Sequence, residues 1–249
     1  MQDNLKGIDV AAKAANINDF DKDGGIFVPS SFSRIDADVL QEFDEVSDDE
    51  RIGFILKRCF GIAFDDKELL LSDIPLVEIE EDLYVLELAN ANRFKAVDKE
   101  LRPFVIAAEL ISVCVDLGFE ETNLFLPSEN NDFIKGATLA KDAGVNVNIF
   151  VGASEDREED KFTYIAINNS DIKAMIKDFS DFDDYVFDPV SALGAGAFAI
   201  VEGENDAPSI IVSVANPLDY AIEVARALGV KAKDEDEAKR KLEELYALS

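Results

Sequence analysis

Lys95 stands in Arg93-Phe94-Lys95-Ala96, between a strand-patterned and a helix-patterned segment. A lysine at a strand end beside apolar groups can capture a carbonyl as a Schiff base once desolvation lowers its pKa. Taken alone, it also fits an ordinary solvent-exposed lysine. A second candidate is Pro127-Ser128-Glu129-Asn130-Asn131-Asp132, which follows an apolar strand pattern and opens a helix. Such turns bind anions on free backbone N–H groups. Glu129 and Asp132 work against that use, because they cap the helix and repel a phosphate. The third candidate is Asp19-x-Asp21-x-Asp23-Gly24-x-Ile26. Oxygen ligands at positions 1, 3 and 5, glycine at 6 and an apolar residue at 8 match the start of an EF-hand calcium loop. The twelfth position should be a bidentate Glu, but it is Ser30, and Pro29 blocks the exit helix. Asp19, Asp21 and Asp23 are therefore a weak metal candidate, and a plain acidic turn is the favoured reading.

Composition removes whole classes of chemistry. The 249 residues contain no His, which excludes every Ser-His or Cys-His mechanism. Lys and Arg total 24 against 53 Asp and Glu, a net charge of −29. Binding to nucleic acid or an anionic membrane needs the opposite sign, so neither is expected as a partner. The pair Gly194 and Gly196 lies in a small-residue run that fits close helix packing, not a phosphate loop. Cys59 and Cys114 sit in apolar, helix-patterned stretches, which predicts buried reduced thiols. The N-terminus lacks a basic and an apolar region, and no apolar run reaches membrane-spanning length, so a cytoplasmic location is expected.

Hydropathy patterning supplies the elements that would position these residues. Short helices over 8–17, 36–46 and 66–72 are expected, with an extended piece at Ile26-Phe27-Val28. A helix capped by Ser47 would place Ile52, Ile55, Leu56, Cys59 and Phe60 on one face. Beyond Leu76 strands and helices alternate. Strands are expected at 76–79, 83–88, 123–126, 147–151, 162–167 and 210–214. Helices are expected at 101–117, 132–143, 170–179 (capped by Ser170), 189–201, 217–228 and 234–248. In the last, Leu242, Leu245 and Tyr246 should share the packed side. This order predicts an α/β fold, with a mainly helical segment over 1–75 and a doubly wound, mostly parallel sheet domain over 76–249.

Five segments, in order, resemble the threonine synthases, a family of fold-type II pyridoxal-phosphate enzymes. They are Asp23-Gly24-Gly25-Ile26-Phe27-Val28-Pro29, then Leu83 to Leu88 with Phe94-Lys95, then Leu126 to Asp132 with Gly136 and Ala140 to Gly144. Asp188-Pro189-Val190-Ser191-Ala192-Leu193-Gly194 and Ile211 to Pro217 complete the set. The resemblance implies pyridoxal phosphate as cofactor and Lys95 as its Schiff-base lysine. It places Ser128, Asn130 and Asn131 at the phosphate and Val214 and Asn216 beside the pyridine ring. The departures are specific. Ala89-Asn90-Ala91-Asn92 replaces the residues before the lysine, Glu129 replaces phosphate-loop glycine, and Val214 stands where a threonine is expected. The family's small domain, due between about 96 and 122, is absent from the pattern. The expected reading is a non-catalytic threonine-synthase-like protein without cofactor, acting by binding or assembly. A homo-oligomer or a larger homologue would be its partner, across Ala89–Phe94, Pro127–Asn131 and Val214–Asn216. The alternative is a pyridoxal-phosphate-dependent lyase that uses Lys95 in a site completed by a partner chain.

Overall fold

The computed structural model describes residues 5–7, 26–28, 48–62, 74–88, 101–118, 120–128, 131–154, 162–203, 206–246 and 248. The expected helices over 8–17, 36–46 and 66–72, the cap Ser47, the aspartates 19, 21 and 23, Lys95, Glu129 and Asn130 lie outside them. The chain divides into two compact units. One comprises Met1–Asp73, Asn92–Glu120 and Lys135–Asn146, and the other Ile74–Ala91, Glu121–Ile134 and Val147–Ser249.

In the first unit, β1 (Leu5–Gly7) pairs in parallel with β2 (Ile26–Val28). Helix α1 (Asp48–Phe60) buries the expected stripe of Ile52, Ile55, Leu56, Cys59 and Phe60. It packs on α2 (Arg102–Asp116), whose face from Pro103 to Ser112 is buried throughout. Phe60 meets Phe104 edge-on at 5.5 Å, and Arg51 pairs with Asp116, so the two helices run antiparallel. This pairing separates the two buried thiols, neither of which is in a disulfide. Cys59 adjoins Phe60 at the Phe104 end, and Cys114 lies ten residues further along α2, about 15 Å away. A disulfide cannot span that distance. Burial pushes the Cys59 thiol up to about 11, so it stays protonated.

In the second unit, six strands among the described residues form one sheet in the order β3-β4-β8-β5-β6-β7. They are β3 (Leu76–Glu80), β4 (Leu83–Glu87), β5 (Thr122–Pro127), β6 (Val147–Ala153), β7 (Thr163–Ala166) and β8 (Ser209–Ser213). Only β3 runs antiparallel, in a hairpin with β4 that turns at Asp82 (φ 62). The other neighbours pair in parallel. The fully buried patterns of β5 and β8 are those of central parallel strands. The unit also contains α4 (Asn169–Phe182), α5 (Ser191–Val201), a 3-10 turn (Pro217–Tyr220), α6 (Ala221–Ala227) and α7 (Glu235–Tyr246). Helix α3 (Asn131–Asp142) begins in this unit and ends in the first. Leu83, Val85, Phe125 and Ile211 of the sheet share one core with Phe179, Phe187, Ala195, Val224 and Leu242. Each large side chain so buried contributes about 1.5–3 kcal/mol.

The α/β class and the mostly parallel sheet agree with the sequence pattern. Two details differ. The cap of α4 is Asn168, whose Oδ1 accepts from Ser170 N at 2.9 Å and Asp171 N at 3.1 Å, so Ser170 lies inside the first turn. On α7 Leu242 is buried and Tyr246 packs against the same core, while Leu245 is 63% exposed.

Candidate functional site

Helix α5 fixes one side of the strand ends. Its sequence, Ser191-Ala192-Leu193-Gly194-Ala195-Gly196-Ala197, offers almost no side-chain volume to hold it off the sheet. A Cβ on Gly194 would stand 3.1 Å from the Phe125 carbonyl oxygen, and one on Gly152 of β6 would fall on the Leu193 carbonyl. The glycine pair is thus a packing device, as its spacing predicts.

Asp188 anchors the start of that helix. It is fully buried, and its Oδ1 accepts from Val190 N at 2.8 Å and Ser191 N at 3.0 Å. The Ser191 hydroxyl donates to Asp188 Oδ2 and accepts from Val214 N at 2.8 Å. Burial raises the Asp188 pKa, opposed by its hydrogen bonds to Ser191 and Val190. The helix start, the buried acid and the end of β8 are therefore one hydrogen-bonded unit.

A second polar group lies on the adjacent strand pair. Glu87 ends β4, Ser213 ends β8, and the two are partners in the ladder. The Tyr185 hydroxyl donates to Glu87 Oε1 at 2.9 Å, and the Ser213 side chain also hydrogen-bonds the phenol. Burial and the Glu87 charge push the Tyr185 pKa up, so the phenol is protonated.

With this geometry, solved structures provide the comparison. A threonine synthase from yeast aligns over 94% of this chain and 91% of its own, with TM-score 0.68 and 12% identity. The chain has a threonine-synthase-like fold. Threonine synthase from Escherichia coli aligns over 88% and 89%, with TM-score 0.61 and 11% identity. The pyridoxal-phosphate-bound threonine synthase from Brucella melitensis aligns over 92% and 90%, with TM-score 0.59 and 12% identity. No protein-family model and no curated protein matches the sequence.

Within this threonine-synthase-like fold, the described candidates are found as follows. Ser128 is half-buried at the end of β5, and its N–H donates to the Gly152 carbonyl at 2.9 Å. Asn131 opens α3. Val214 is half-buried directly after β8, with its N–H on Ser191. The Asn216 Oδ1 accepts from Leu218 N at 2.8 Å and caps the 3-10 turn. Ser191 thus links Val214 to Asp188. No group of three metal-binding side chains occurs among the described residues. Nor is any described helix long and apolar enough to cross a membrane. Sequence reasoning singled out the Asp188 segment without its capping role, and it missed Glu87 and Tyr185. The polar Glu87 at the end of an apolar strand was the one signal available.

Proposed function

We propose that this chain is a threonine-synthase-like protein that holds no pyridoxal phosphate and acts by binding or assembly instead of catalysis. The observation that carries this reading is the end of β8. Val214 stands where the resemblance puts the group beside the pyridine nitrogen, its side chain cannot hydrogen-bond, and its N–H is already used by Ser191. The phosphate end fits no better. The Ser128 N–H is engaged by Gly152, and the sequence places Glu129 and Asp132 in and after the same turn. An acid beside a phosphate is unfavourable for the charged forms of both. The Asn216 oxygen is turned to its own backbone. Lys95 is the one cofactor residue the sequence retains.

The low-charge strand-end segments Ala89–Phe94, Pro127–Asn131 and Val214–Asn216 are the proposed interface, for a second copy or a larger homologue. Titration with pyridoxal phosphate, followed in the visible spectrum, tests the cofactor half of the reading. We expect no saturable aldimine band at micromolar cofactor. A band that saturates there, is lost on borohydride treatment and is abolished by Lys95→Ala would overturn it in favour of a Lys95-dependent lyase.

A further inference from the structure

We propose that the carboxyl edge of β4 and β8 is a binding position for a hydroxyaryl group, and that the chain fills it with its own Tyr185. The inference rests on the reading above that no pyridoxal phosphate occupies these strand ends. In α/β sheets, ligands bind outside the carboxyl ends of the strands. Here that edge offers a carboxylate acceptor, Glu87, and a hydroxyl, Ser213, side by side in the ladder. Both are taken by a single phenol that arrives 98 residues after Glu87. The chain reaches it by a left-handed turn at Asp184 (φ 53) directly after α4, and the ring rests on Phe187 with centroids 4.7 Å apart. A hydroxyl held by one acceptor and one further hydroxyl, with its ring against an aromatic face, is how a protein recognises a neutral phenol or hydroxypyridine. Glu87 and the buried Asp188 both oppose an anionic occupant, since each contributes repulsion at the phenol oxygen. The occupant is therefore a protonated hydroxyaryl group, and Tyr185 supplies it from within the chain.

The full-length Tyr185→Ala variant tests this, probed with p-cresol, which is the deleted side chain, and with toluene, which lacks the hydroxyl. At about ten times its dissociation constant, p-cresol should raise the melting midpoint of the variant by about 3–5 °C. Toluene should raise it by less than half as much, and wild type and Tyr185→Phe should respond to neither. Equal shifts from the two probes, no shift from p-cresol, or a p-cresol shift in wild type would overturn the inference. Should Tyr185→Ala be insoluble, refolding yields of Tyr185→Val with each probe give the same comparison, and equal yields overturn it. An aldimine band in wild type refutes the preceding reading and this inference with it, whereas failure of p-cresol to rescue refutes this one alone.

Discussion

Replacing Gly152 by alanine tests how α5 is seated on the sheet. The added Cβ would fall on the carbonyl carbon and oxygen of Leu193, which are backbone atoms in the first turn of α5. No side chain can swing aside, so the helix itself must retreat. Retreat separates buried Ala192, Ala195 and Ala197 from the strands and weakens many small dispersion contacts together. Overpacking of this kind costs about 1–3 kcal/mol, and a backbone clash belongs at the upper end. A loss of ~3 kcal/mol lowers the melting midpoint by about 6–12 °C in a chain of this size. Gly194→Ala, whose Cβ would meet the Phe125 carbonyl oxygen at 3.1 Å, should cost ~1 kcal/mol. Gly53→Ala provides the opposite sign. It lies inside α1 with nothing within 4 Å of a new Cβ, so it should stabilise by about 0.5–1 kcal/mol. Urea titration of the three variants measures the series. A Gly152→Ala protein within ~0.5 kcal/mol of wild type would show that α5 is not held this closely.

Three further outcomes follow from the same unit and its neighbour. Ser191→Ala removes the hydroxyl shared by Asp188 and Val214 N and should cost about 2–4 kcal/mol by urea titration; a loss under ~1 kcal/mol would mean these bonds are replaced elsewhere. Asp188 has a raised folded pKa, so between its unfolded value and that raised value the native state holds the extra proton and stability falls as pH rises. Asp188→Asn should flatten that slope in melting curves recorded upward from about pH 4, and an unchanged slope would assign it to other acids. Both thiols should resist a disulfide reagent at neutral pH until the chain is unfolded, and rapid native labelling of either cysteine would contradict their burial.

The strands and helices beyond Leu76 were legible because each carries its own periodicity. In the first unit, Ile52, Ile55, Leu56, Cys59 and Phe60 likewise announce one face of α1 from five residues and their spacing. What periodicity cannot encode is a partner far along the chain. Glu87 and Tyr185 read separately as a strand-end acid and a loop tyrosine, and only the β4–β8 ladder brings them together. Asn168 outcompeted Ser170 as the cap because its carboxamide oxygen reaches two backbone N–H groups while Asp171 closes the reciprocal bond. Leu245 misled for a simpler reason. Tyr246, one residue on, still packs against the core while Leu245 is exposed, so the packed stripe of α7 is narrower than the spacing of its leucines suggests.

The place of β8 governs the order in which this protein can be made. Residues 209–213 lie between strands built from 83–87 and 122–127. When synthesis has reached residue 200, every described strand of this sheet except β8 has therefore been made. Until then β4 has no neighbour on that side, and β5 offers an open apolar edge to whatever else is present. Synthesis must pass Ser213 before the sheet can close, so until then a nascent chain of this fold holds two unjoined halves. A stop codon between Ala166 and Ser209 would do more than remove the helices that follow β8. It would leave those halves without the strand that joins them.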